Sequence, residues 1–318
     1  MHRRTLITAS AYAAGSLALI GTAGVAALAS FGTQPARAQG QDFSKVEVQA
    51  TQLSPTVYML TGAGGNVGLA VGDDAVFVID DQFAPLAPKI KAAIARITAK
   101  PVQFLLNTHF HFDHTGGNEA FGREGALIVA HDNVRRRLTT EQLISLAGNI
   151  NRQPPTAKPG LPVVTVAGEL TFHINGDEVN AFHAPRAHTD GDLIVHFRKS
   201  DVVHMGDTYF NGFYPFIDVS SGGTAEGVLA AAERVLALAG DKTKIIPGHG
   251  PLASKADLQA YRDMLTTNIQ RVKEARRSGK SDEDIRNSKP FADLDERYGK
   301  GFINPQAFVA MMLAAVPR

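Results

Sequence analysis

Residues 107–118 read NTHFHFDHTGGN, which places His109, His111, Asp113 and His114 within six positions of a chain that has eleven histidines in all. Imidazole nitrogens and carboxylate oxygens are ligands for borderline divalent cations, and a set without thiolate suits zinc. In an extended segment, side chains at i and i+2 share a face. His109 and His111 can therefore address one ion, while Asp113 and His114, further along, can feed a second beside it. Three more candidates stand where a predicted strand gives way to a loop, the usual edge for a grafted site. They are His188 in APRAHTDGD, Asp207 in VVHMGDTYF and His249 in IIPGHGP. Asp80 ends the run DAVFVID, where it is either the acceptor that orients a ligating imidazole or an exposed turn residue. His183, His196 and His204 lie in or beside predicted strands, match no ligand position and read as packing residues, and His2, His131 and His173 carry no signal.

The ordered set H-x-H-x-D-H, H-T, G-D and P-G-H-G, spread over residues 64–251, resembles the metallo-β-lactamase superfamily. The resemblance implies an α/β fold, the αββα four-layer sandwich, with the site at one edge of its two sheets. It makes His109, His111 and His188 ligands of a first metal, and Asp113, His114 and His249 ligands of a second. Asp207 would bridge the two. The implied cofactor is Zn2+, two per chain. Such a pair, about 3.5–4 Å apart, supplies hydroxide at neutral pH and polarises a carbonyl oxygen. Asp113 is expected to move a proton to the leaving group as well as to bind metal. The chain has no cysteine and no G-x-S-x-G pattern, so no serine or cysteine nucleophile competes with this reading.

The expected substrate is a small molecule, a cyclic amide or ester of the β-lactam or lactone kind. One zinc β-lactamase subclass carries a cysteine where Asp207 stands, and a lysine clamp where this chain has TYFNGFYPF, which contains no cation. The aspartate instead is similar to the glyoxalase II and lactonase branches, so a thioester hydrolase of the glyoxalase II type is the alternative. The basic glutathione-holding motif of that branch has no clear counterpart in MLTTNIQRVKEARRSG. Iron-dependent oxidoreductases use the same scaffold, but the flavodiiron pattern has Glu where His111 stands. A protein that only binds metal is the remaining class, and retention of all seven ligands argues against it. Tyr209, close after Asp207, is a packed aromatic or a helper at a lactone carbonyl.

The elements that must position these residues follow from apolar periodicity. Short β-branched runs at 56–60, 66–72 and 74–80 predict strands of a meander. A helix is expected over 86–98 and strands over 102–108 and 125–130, then a polar helical stretch to about Ala147. NRQPPTAKPGLP (151–162) is kept irregular by its prolines. Strands are expected at 169–174, 177–183, 192–198, 201–206 and 243–250, and a helix at 224–240. Helices at 254–278 and 305–315 make a helical C-terminal part, about 254–318. Strand-then-helix halves predict strands inside and helices outside.

A chain of 318 residues with 44% hydrophobic and 20% charged residues can bury a large core. Its net charge of +1 and lone RRR run give no nucleic-acid footprint. Residues 1–38 have the plan of an export signal: Arg3 and Arg4, a mild apolar stretch from Ala11 to Phe31, then ARA at 36–38. The paired arginines resemble the twin-arginine route. The many Ala, Gly, Ser and Thr residues argue against a membrane anchor. Cleavage after Ala38 would leave residues 39–318 as one periplasmic domain with no stable membrane association.

Overall fold

The computed structural model describes residues 42–146 and 149–318; the expected export signal lies outside them. Four strands open the chain: β1 (Gln49–Gln52), β2 (Val57–Thr61), β3 (Val67–Val71) and β4 (Val76–Ile79). They pair as an antiparallel meander. Helix α1 (Ala87–Ala95) then crosses over to β5 (Phe104–Leu106), which runs parallel to β4. Two short helices, α2 (Phe112–Thr115) and α3 (Asn118–Gly122), lead to β6 (Leu127–His131) and α4 (Asp132–Leu138). The hairpin β7 (Gln142–Leu146) and β8 (Asn149–Gln153) stands apart, and β9 (Val164–Val166) completes a seven-stranded sheet beside β6.

The second sheet has five strands in sequence order: β10 (Glu169–Ile174), β11 (Asp177–Ala184), β12 (Asp192–Phe197), β13 (Val202–His204) and β14 (Lys244–Ile246). Helix α5 (Ala225–Leu238) joins β13 to the parallel β14. Helices α6 (Lys255–Arg277), α7 (Asp282–Asn287), α8 (Asp295–Tyr298) and α9 (Pro305–Ala315) follow. Thr224 caps α5, and Ser254 with Asp257 closes a capping box on α6, satisfying amide groups that helix starts leave open.

Alternation along the strands decides the layering. Phe77, Ile79 and Leu106 face Val195, Phe197 and Ile246 between the two sheets. The neighbours Val76, Val78 and Leu105 face outwards onto Ile90 and Ile94 of α1 and Phe121 of α3. On the far side of the second sheet, Phe182, Ile194 and Val203 pack with Val228 of α5, Leu265 of α6 and Phe308 of α9. Strands buried on both faces are apolar without a break, as VFVI in β4 shows. The result is the expected αββα sandwich with a helical C-terminal part.

Several sequence expectations need correction. The helical stretch towards Ala147 stops at Leu138, and the β7–β8 hairpin takes its place. The Pro-rich loop begins later than residue 151, because β8 runs to Gln153, and it holds a single 3-10 turn at Lys158–Gly160. Strands β1 and β9 had no alternating pattern to betray them, since every side chain of Gln49–Gln52 is exposed. Among the described residues, no helix is long and apolar enough to cross a membrane.

Candidate metal centre

The structure brings all seven sequence-predicted donors to the ends of β5, β11, β13 and β14. Strand β5 stops at Leu106, and His109 and His111 follow in irregular backbone before α2, which carries Asp113 and His114. His188 stands in the β11–β12 turn, Asp207 in a 3-10 turn after β13, and His249 after β14. Ligand atoms of His109, His111, His188 and Asp207 lie within 4.8 Å of one another, and so do those of Asp113, His114 and His249. Asp207 faces both groups. Its Oδ2 lies 3.7 Å from His109 Nε2 and 3.6 Å from His188 Nε2. Its Oδ1 lies 3.0 Å from His114 Nε2 and 3.4 Å from His249 Nε2.

Hydrogen bonds behind the rings decide which nitrogens point inward. Asp80 is fully buried, so the exposed-turn alternative is overturned. Its backbone has φ 60°, a left-handed conformation uncommon for a residue with a side chain. There its Oδ2 accepts from His114 Nδ1 (2.8 Å) and from the Thr108 hydroxyl (2.7 Å), while its Oδ1 accepts from the Thr108 amide. The Thr108 oxygen, its proton committed to Asp80, accepts from His109 Nδ1 at 3.0 Å. One carboxylate thus fixes two imidazoles, one in each group. On the other side, His111 Nε2 donates to Asp218 Oδ2 (3.0 Å) and His188 Nδ1 donates to the Phe216 carbonyl (2.8 Å).

His109, His111 and His188 therefore turn lone pairs inward. His111 Nδ1 and His188 Nε2 face each other at 2.9 Å with both ring protons already committed elsewhere. His109 Nε2 and Asp207 Oδ1 are buried with no hydrogen-bond partner. Converging buried acceptors repel one another and fit a cation between them. The electrostatics agree. Burial holds His109 well below the usual imidazole range and takes His188 down to about 4, so both are neutral at pH 7. Burial pushes His114 and His249 the same way, but the Asp207 carboxylate, with Asp113 beside it, outweighs it. His114 ends well above its ordinary value and His249 at about 9. The field that draws a proton onto these rings also draws a metal ion.

The loops are pinned to one another. Asn66, after β2, donates its side-chain amide to the carbonyls of Pro247 and Gly250 (both 2.9 Å), fixing the loop of His249. The His249 ring stacks on Phe210 at 5.3 Å and 12°. Tyr209 is a packed aromatic, buried 4.8 Å from Tyr261. His204 is buried and bonds the Asn66 carbonyl, while His131 and His183 stack on each other away from the donors. Sequence reading missed Asp218, Thr108 and the Phe216 carbonyl. Of these, only Thr108 sat inside a motif that marked it.

The chain belongs to the metallo-β-lactamase superfamily, a superfamily of metallo-hydrolases: the profile described as "Metallo-beta-lactamase superfamily" matches residues 60–249. Particular relatives lie further off. The chain is 24% identical over 245 residues, 76% of its length and 70% of the relative's, to 2,4-dinitroanisole O-demethylase subunit alpha of Nocardioides sp. strain JS1661. It is 29% identical over 166 residues to a hydroxyacylglutathione hydrolase of Polaromonas sp. strain JS666, covering 52% of this chain and 55% of that protein. Among solved structures, a metallo-β-lactamase from Pontibacter korlensis superposes with a TM-score of 0.56 at 19% identity, over 69% of this chain and 99% of that one. The sec-alkylsulfatase Pisa1 from a Pseudomonas species gives 0.60 at 16%, over 83% and 50%. At such identities the structures share the fold.

Proposed function

We propose that the chain is a dinuclear zinc hydrolase acting on the carbonyl of a small cyclic amide or ester, of the β-lactam or lactone kind. The observation that carries the reading is Asp207, one oxygen turned to each group of imidazoles. His109, His111, His188 and Asp207 would hold one ion, and Asp113, His114, His249 and Asp207 the other. Bound there, zinc would supply an activated water near neutral pH and a Lewis acid for the substrate carbonyl. The remaining chemistry is the chain's own. Asp80 and Asp218 hold three rings in the tautomer that binds metal. Asp113 and His249 are the least buried donors, with side chains 19% and 15% exposed, so substrate enters from their side. Asp113, a carboxylate held below its usual range, would take the proton lost by the attacking water and pass it to the leaving group. Export through residues 1–38 to the periplasm is part of the same proposal.

Metal analysis of the full chain should find two zinc ions, and Asp207→Ala should retain one or none. A panel of a chromogenic cephalosporin, an aryl lactone and simple esters should be turned over. The variant should lose about 10²-fold or more in rate. A fully metallated protein inert across that panel would sink the proposal, and stoichiometric iron with visible colour would replace zinc. The hydroxyacylglutathione hydrolase relatives favour a second reading, thioester hydrolysis. Turnover of S-lactoylglutathione in preference to the cyclic substrates would select it.

A further inference from the structure

We propose that Phe302, contributed by the helical C-terminal part, is a specificity-determining residue of this site, and that it receives a phenyl group attached next to the scissile carbonyl. The inference rests on the hydrolase reading and names its substrate class. Phe302 is 49% exposed, the only aromatic among the exposed large apolar side chains of the described residues. Its ring is nevertheless held. It lies 5.8 Å from Phe210, 6.1 Å from Phe213 and 5.8 Å from the ring of His249. The flanking backbone is fixed on both sides. A side chain at Gly301 would put its Cβ 2.7 Å from that of Phe213, so only glycine allows the segment so close. Ile303 is buried, and Asn304 caps α9.

Phe302 therefore presents one free face beside His249, one of the two partly exposed donors. A carbonyl brought to those donors carries its substituent across that face. The rings of Phe210, Phe213 and Phe302 include no charge, which disfavours a carboxylate there and favours a flat apolar group. Aromatic rings attract one another at centroid separations of about 4.5–7 Å, in offset or edge-to-face arrangements. That is the spacing a phenyl group would continue.

The chain contains no tryptophan, so Phe302→Trp creates a single reporter at the mouth of the site. With the zinc-loaded full chain, phenylacetate should change its emission at a concentration roughly tenfold below that needed for acetate. Equal concentrations, or no response to phenylacetate, overturn the proposal. Independently, the para-nitrophenyl ester of phenylacetic acid should show a KM about tenfold below that of the matching acetate ester. Phe302→Ala should bring that ratio close to one while bound zinc is retained. A ratio unchanged by the substitution also overturns the proposal. If the parent protein hydrolyses neither ester, the hydrolase reading stands or falls with the full substrate panel above, and the tryptophan titration still decides the role of Phe302.

Discussion

Asp80 touches no inward-facing atom, yet it governs both groups of donors, His114 directly and His109 through Thr108. Carboxylates behind metal-bound imidazoles typically change metal affinity about 10–100-fold when removed. Asp80→Asn is expected to weaken both ions by that order, read by competition with a chromophoric chelator. Asp218→Asn should weaken only the ion held by His111 and His188, because its one ring partner is His111. Asp192 gives a different kind of expectation. Burial raises its pKa from 3.8 to about 7, against the opposing bonds from Thr189. The folded state then binds the extra proton, so this group's stabilisation is complete below pH 3.8 and is lost as pH rises through about 7. In the metal-free chain, Asp192→Asn should flatten the fall of Tm between about pH 4 and 7. A slope unchanged by the substitution would refute that assignment. At this scale the sequence was most legible for the donors themselves, since four potential ligands in six positions have few other uses. Asp218 was invisible: FIDVSSGG has no periodicity or motif, and only the chain's return past His111 gives it a role.

Among the elements, the long runs were read correctly where burial on both faces or a cap made the pattern plain, as in β4, α5 and α6. Strand β7 was read as helix because QLISL is too short to separate a period of 2.0 from one of 3.6, and the end of β8 was read as the start of the Pro-rich loop. The turns that carry Asp207 and His249 were placed by their glycines, and the structure shows what those glycines are for. Gly248 donates to the Gly206 carbonyl at 2.7 Å, and a Cβ there would sit 2.1 Å from Asp207 Oδ1 and 2.6 Å from the Gly206 backbone. Gly248→Ala is expected to displace Asp207, lowering bound metal below two per chain, and to cost about 1–3 kcal/mol of stability. Metal analysis with chemical denaturation checks both, and a variant with full metal content would contradict the packing argument.

For the whole molecule, the C-terminal helices brace the segment that returns past the first group of imidazoles. The Tyr214 ring stacks on Phe308 of α9 at 3.8 Å and 8°, and its hydroxyl donates to Asp295 at 2.9 Å. Two and four residues later come the Phe216 carbonyl and the Asp218 carboxylate that orient His188 and His111. Phe308→Ala should cost about 3–5 kcal/mol. At temperatures where the variant stays folded, it should also weaken the ion held by His111 and His188 more than the other. Equal affinities for both ions would show that the brace is structural alone.

The seven donors all fall between His109 and His249, inside the stretch that matches the superfamily profile, whereas Phe302 stands more than fifty residues beyond its end. On the proposal above, part of what recognises the substrate thus lies outside the length of chain that holds the metal donors. If Phe302 has that role, drift in the short stretch around it would retune which molecules are welcomed while the metal-holding constellation stays untouched. A lineage built this way can change its diet without relearning how to digest.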